Sequence, residues 1–216
     1  MGNNYFIRLI SFGNKSGRLI VLEKIVGKKK FGTRQIAVIG MLSAITIVLG
    51  STGLGFIPLP MAKATIMHMP VIIGAILEGP VVGAAIGLIF GVFSIIQSFT
   101  SPALLSFAFI NPLVSVLPRI LIGITAYYSY RAPFVKNEIA KTSIGAAVGS
   151  LTNTVGVLGM IYLIYAAEYA EKIGIERSAA AGAIFGVAIT NGILEAIVAV
   201  VITVPIVMTI RKIISK

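Results

Sequence analysis

The chain has 216 residues, of which 57% are hydrophobic and only 12% charged, with a mean hydropathy of +1.00 and a formal net charge of +11. A soluble domain carries about twice that charged fraction, so an ordinary soluble protein is excluded, and the length suits one bundle of about six spanning helices of roughly 20 residues. With no cysteine and a single histidine, disulfides, thiol chemistry and a histidine-built metal site are excluded as well.

The basic excess does not mark a nucleic-acid binder. It sits at the chain ends and in one internal loop, beside apolar segments, which is the pattern of membrane topology and of attraction to anionic lipid heads. Residues 1–35 form a basic cytoplasmic tail with Arg8, Lys15, Arg18, Lys24, Lys28, Lys29, Lys30 and Arg34. The tail lacks a long apolar stretch before a small-residue cleavage site, so a secretory signal is not expected. Three readings stay open for it: a short amphipathic helix on the inner leaflet, a loosely ordered tail, or a start codon assigned too far upstream.

Residues 36–216 are expected to form the membrane domain, an all-α integral membrane bundle of six transmembrane helices. Segment one runs over 36–50, with small residues at Ala37, Gly40, Ser43 and Ala44. The Gly/Pro stretch 51–60 reads as a loop and a candidate lid. Segment two, 64–77, is short and holds His68 and Pro70. Glu78-Gly79-Pro80 makes a tight turn into segment three, 81–99, with Gly83, Gly87 and Gly91 at helical spacing. A charge-free loop follows to Phe109. Segment four covers 111–130, segment five 143–166 and segment six 178–210. Fourteen Lys and Arg residues fall on one side of this arrangement, and only Lys63, Lys172 and Arg177 on the other. The positive-inside rule therefore places both termini in the cytoplasm. Small residues spaced by four let helices approach closely in lipid. For the strips of segments three and five, internal packing is the expectation, whereas the first helix can offer its strip to a partner.

Arg119 is the only charge between Gly79 and Tyr130. A cation at membrane depth costs roughly 2.5–3.5 kcal/mol on insertion scales, so it is kept where an anion answers it. That anion is either an internal carboxylate, with Glu195 as the candidate, or a ligand. Counting along the helices at about 1.5 Å per residue gathers Arg119, Asn153, Asn191, Gln97, Ser94 and His68 between the midplane and the outer surface. A guanidinium among amides and hydroxyls suits a small anion that also carries hydroxyl or amide groups. Each residue has a structural alternative: an interhelical hydrogen bond for Asn153, a helix cap for Asn111 before Pro112, and a packed or capped position for His68. Lys63, just outside, either steers anions or anchors at the interface. No paired carboxylates, nucleotide-binding glycine loop, Walker motif, catalytic triad or HExxH is present, so no cofactor and no catalysis are expected, and no inverted repeat is evident.

With its six segments, basic ends and first helix reading Ile36-Ala-Val-Ile-Gly-Met-Leu-Ser-Ala44, the chain resembles the substrate-binding (S) components of energy-coupling factor (ECF) vitamin transporters from residue 34 to 216. The stretches Ala64 to Pro80 and Phe109 to Gly123 look most like the pantothenate-specific members. The resemblance implies a multi-pass protein of a prokaryotic plasma membrane that binds a vitamin in an outward-facing pocket. It also implies partnership with a transmembrane coupling subunit and two ATP-binding-cassette ATPases, and toppling of the whole S component to deliver its cargo inward. The family's Ala-x-x-x-Ala strip, which meets the coupling subunit, maps onto Gly40 and Ala44, beside Ala37. The arginine and asparagine that hold substrate in pantothenate members map onto Arg119 and Asn153. Cargo alternatives are pyridoxine or hydroxymethylpyrimidine, biotin and folate. A membrane-embedded enzyme or scaffold subunit is the alternative of another class.

Overall fold

The computed structural model describes residues 31–58 and 63–214. The expected amphipathic helix of the tail lies outside the described residues. The elements in chain order are α1 (Thr33–Ser51), β1 (Phe56–Pro58), β2 (Lys63–Thr65), α2 (Met69–Glu78), α3 (Pro80–Thr100), α4 (Ser106–Phe109), α5 (Pro112–Ser115), α6 (Leu117–Tyr130), α7 (Glu138–Ile173) and α8 (Ala180–Ile214). The chain is thus mostly helical. Among the described residues, five stretches are long and apolar enough to cross a membrane: α1, α3, Pro112–Tyr130, α7 and Arg177–Ile214.

The remaining apolar segment behaves differently from its expectation. The sequence suggests a helix from about residue 64, but α2 begins at Met69, with a proline in its first turn, and has ten residues. Upstream of it the chain forms a hairpin, with Phe56 opposite Thr65 and Ile57 opposite Ala64 in antiparallel register. Gly55 N–H donates to the Leu49 carbonyl at 2.8 Å and Ile66 N–H to the Gly55 carbonyl at 2.9 Å, which ties the hairpin to the end of α1. A ten-residue helix is about 15 Å long, half the hydrocarbon thickness. α2 can be apolar on every side because it is the centre of the bundle. Residues Met69–Ile76 are all buried, and α1, α3, α6, α7 and α8 all pack on it.

Glycine sets the closeness of α3 to α6. A Cβ on Gly83 would lie 2.9 Å from Gly123 Cα, and one on Gly91 would lie 2.7 Å from Val116 Cα. On α7, a Cβ at Gly149 would lie 2.9 Å from the Ile72 side chain. The strips of segments three and five are internal packing surfaces, as expected. The main core joins α2, α3, α6 and the adjoining parts of α7 and α8. A second cluster, with Ala108, Val114, Leu158, Ile161 and Ile184, joins α4 and α5 to the other half of the α7–α8 pair.

Charged side chains close one end of the bundle. Arg34 pairs with Glu78 at 2.7 Å. Glu138, at the start of α7, accepts from Tyr130 Oη at 2.8 Å, from Lys141 at 2.8 Å and from Arg211 at 2.7 Å. The beginning of α1, the α2–α3 turn, the α6–α7 connection and the end of α8 therefore share this basic end. Gly79, at φ +103, turns the chain from α2 into α3 within a single residue, a backbone geometry that glycine adopts without steric cost.

α7 and α8 run beyond their expected limits. α7 starts at Glu138, not at residue 143, because Asn137 Oδ1 accepts from Ile139 N–H at 2.8 Å and caps it. It continues to Ile173 across a break in helical geometry at Tyr165 (φ −126, ψ 20). At 36 residues it is about 54 Å long, so its polar last turns stand clear of a hydrocarbon layer of about 30 Å.

Candidate functional site

The site is built where α6, α7 and α8 face the start of α2. Pro118 opens α6 and packs on α7, where a Cβ at Gly156 would lie 2.9 Å from the proline ring. The next residue, Arg119, is buried at 5% exposure. Its Nη1 donates to the Val114 carbonyl at 2.7 Å. Its Cζ lies over the rings of Phe90 and Phe109, 5.4 and 5.1 Å from their centroids. Such cation–π contacts are worth about 2 kcal/mol when desolvated. Ser115 Oγ, donating to the Phe109 carbonyl, holds the turn that carries one of these rings. The Arg119 Nε has no partner.

The internal ion pair considered for Arg119 is not made. No carboxylate of the described residues lies within 4.0 Å of the guanidinium. Glu195, one turn beyond Asn191 on α8, is occupied otherwise. Its Oε1 accepts from Thr65 N–H at 2.6 Å and its Oε2 from Thr154 Oγ1 at 2.6 Å. Arg119 nevertheless lies within electrostatic reach of both Glu195 and His68. The two rings and the carbonyl fix the cation, while the hairpin and α7 fix the anion.

His68 is fully buried, and its Nε2 lies 3.0 Å from Ser150 Oγ, while Nδ1 has no partner. It is the N-cap residue of α2, at the end of that helix away from Glu78 and about 15 Å from it. Asn153, on the Ser150–Thr154 face of α7, is buried with its Oδ1 unpartnered. It does not make the interhelical hydrogen bond considered for it. Asn191 is buried too. Arg119, His68, Asn153, Asn191 and Glu195 are the buried polar residues of the candidate cluster, and Arg119 Nε, His68 Nδ1 and Asn153 Oδ1 have no partner. Buried polar groups are ordinarily paired, so idle atoms on three different elements suit a ligand that supplies the partners.

Two predicted residues have local work instead. Asn111 Oδ1 accepts from Leu113 N–H at 2.9 Å, the cap weighed for it, and its Nδ2 donates to Tyr165 Oη at 3.2 Å, at the break in α7. Gln97 Nε2 donates to the Gly50 carbonyl at 2.9 Å and fastens α3 to the end of α1. The side chain of Lys63 lies outside the described residues. Thr65, Ser150, Thr154, Phe90 and Phe109 were not anticipated. Threonine and serine are common in membrane helices, and only the fold brings these five to the cluster.

Ala37, Gly40 and Ala44 lie on the exposed side of α1, and a Cβ on Gly40 would meet nothing within 4 Å. Two apolar grooves on the flank of α7 are lined, one by Val148, Leu151, Thr152, Val155 and Gly156, the other by Val155, Tyr162 and Phe185 with their neighbours. Neither includes a residue of the polar cluster. Among the described residues no group of three or more His, Cys, Asp or Glu is placed to hold a metal ion.

Residues 34–207 match the family model of the ECF transporter substrate-specific component. The chain belongs to that family. Its members are substrate-binding transport components, not enzymes. The S component is 30% identical to the pantothenic acid transporter PanT of Lactococcus lactis subsp. cremoris, over 85% of this chain and 97% of that relative. It is 28% identical to the pantothenate transporter PanT of Leuconostoc mesenteroides subsp. mesenteroides, over 69% of this chain and 78% of that one. Together with its apolar helices, this makes it a multi-pass membrane protein.

Proposed function

We propose that this S component binds pantothenate in the α2–α6–α7–α8 cluster and delivers it inward as part of an ATP-driven importer. The observation that carries the reading is the buried Arg119, which has no carboxylate partner and an idle Nε. Pantothenate offers one carboxylate, one amide and two hydroxyls. The carboxylate suits the guanidinium fork, and the amide and hydroxyls suit Asn153, Asn191 and His68 Nδ1. The printed names of the two relatives support the same cargo.

In this reading the protein sits in a prokaryotic plasma membrane, surrounded by lipid, with its basic end and both termini in the cytoplasm. Residues 1–35 are a cytoplasmic tail, 36–216 the substrate-binding domain, and α2 with its hairpin takes the place of the sixth span. The Ala37–Gly40–Ala44 face of α1 meets a transmembrane coupling subunit, which carries two ABC ATPases. The hairpin covers the cluster and must part from it for the vitamin to enter.

Equilibrium binding of a vitamin panel to the purified full chain tests the cargo. Pantothenate should bind, with biotin, folate and pyridoxine far weaker. Arg119→Ala should weaken pantothenate binding by about 2–5 kcal/mol, the cost of removing one member of a buried charge pair. Tight binding of a different vitamin would replace the cargo. An unchanged pantothenate affinity in Arg119→Ala would remove the arginine from the site.

A further inference from the structure

Glu195 is, with Arg119 and His68, a buried ionisable group of the cluster. It is 4% exposed. Its two oxygens accept one hydrogen bond each, from Thr65 N–H and from Thr154 Oγ1. A carboxylate has about four lone-pair sites, so half of its accepting capacity is unused. No cation of the described residues is within 4.0 Å of it. A buried carboxylate without an ion pair is costly, and a purely structural anchor for Thr65 and Thr154 would be met by a neutral amide. Asn191 stands one turn away on the same helix and Asn153 beside Thr154 on α7, both buried. The carboxylate is therefore bonded to the residue next to Asn153 and is buried like the unpartnered polar atoms.

Arg119 and Glu195 are close enough to feel each other's charge but are separately tethered. A positive and a negative group held apart in a medium of low dielectric create a strong directed field between them. A ligand in that field is oriented: its acid end turns to Arg119, and its hydrogen-bond donors turn to Glu195. A ligand with a second anionic group at its far end meets like charge there.

Resting on the pantothenate reading of the cluster, we propose that Glu195 is a specificity-determining residue that accepts from the hydroxyl-bearing end of the ligand and rejects ligands that are anionic at that end. The site would admit a hydroxylated monocarboxylate and refuse its phosphorylated form, so that the importer takes up the free vitamin and not a phosphate ester of it.

The probes are pantothenate, its 4′-phosphate monoester and its alcohol analogue, in which the acid is reduced to an uncharged hydroxymethyl group. Each is titrated calorimetrically against the full-length wild-type protein and Glu195→Gln, an amide of the same shape that can still accept from Thr65 N–H. The wild type should bind the phosphate ester at least about 100-fold more weakly than pantothenate, since like-charge juxtaposition costs several kcal/mol. Glu195→Gln should narrow that ratio about tenfold or more, and should change the ratio of pantothenate to the alcohol analogue, which reports mainly on Arg119, much less. Equal binding of pantothenate and its phosphate ester by the wild type overturns the proposal, and needs no variant that folds. An unaltered ratio in Glu195→Gln overturns it too, and assigns any discrimination to the size of the phosphate. Failure of the wild type to bind pantothenate at all overturns the cargo reading along with it.

Discussion

α1 and α3 carry small residues at the same spacing and use them in opposite ways. On α3, Gly83, Gly87 and Gly91 face protein backbone. A Cβ at Gly87 would run into the carbonyl of Arg119, and one at Gly91 would lie 2.7 Å from Val116 Cα. On α1, Ala37, Gly40 and Ala44 face outward, and Gly40 meets nothing within 4 Å. Both strips satisfy the small-x-x-x-small pattern. What separates them is the neighbour: α3 lies between α2 and α6, whereas among the described residues α1 packs mainly on α2 and α3. Where backbones meet, a strip works within the chain. Where they do not, it remains available to another chain.

Substitutions can break or sharpen this contrast, and the largest effect on the fold is expected at Gly87. Gly87→Ala drives a methyl group into the backbone that carries Arg119, and overpacking of this kind costs about 1–3 kcal/mol or more. Thermal unfolding of the purified protein should show the loss, and pantothenate titration should show weakened binding because Arg119 is displaced. A wild-type melting temperature would mean that α3 and α6 are not in such close contact. Asn111→Ala comes next. It removes the α5 cap and the hydrogen bond to Tyr165, for about 0.5–2 kcal/mol, and should mainly loosen the α4–α5 segment, as read by hydrogen exchange of residues 106–116. Unaltered exchange there would deny the cap its importance. Gly40→Leu should have the smallest effect on the fold, within about 0.5 kcal/mol, and should leave ligand binding intact. Its effect belongs to assembly, where co-purification with the coupling subunit should be lost. If Gly40→Leu lowered stability as much as Gly87→Ala, the difference between the two strips would disappear.

The sequence makes the long helices legible because their apolar runs end at charged or Gly/Pro-rich stretches. It also makes Arg119 legible, since no other charge lies near it in sequence. The hairpin is not legible. Phe56-Ile-Pro58 and Lys63-Ala-Thr65 are three residues each, too short for alternation to register. Without the hairpin the expected start of α2 slips upstream, to about residue 64 instead of Met69. The partners of the buried polar groups are hidden for another reason. Glu195 is joined to Thr65 across 130 residues and to Thr154 across 41, and His68 to Ser150 across 82. Nothing local distinguishes Thr154 from Thr152, which bonds within its own helix and to Thr125. The expected ends of α7 fall short of Glu138 and Ile173 because charged residues lie inside the helix at both ends. Charge marks the edge of the apolar layer, and a capped helix continues through it.

The aromatic seat of Arg119 has a consequence for how the proposed site would survive between cargoes. Long basic side chains in lipid tend to snorkel toward the nearest water. The π-faces of Phe90 and Phe109 attract the guanidinium through their quadrupoles, so they restrain it without neutralising it. A carboxylate in their place would hold the side chain equally well but would compete with every incoming acid. Replacing either phenyl with leucine should therefore weaken capture of the vitamin while keeping the arginine itself, because a freed side chain would swing toward solvent and carry its charge away from the helices that need it.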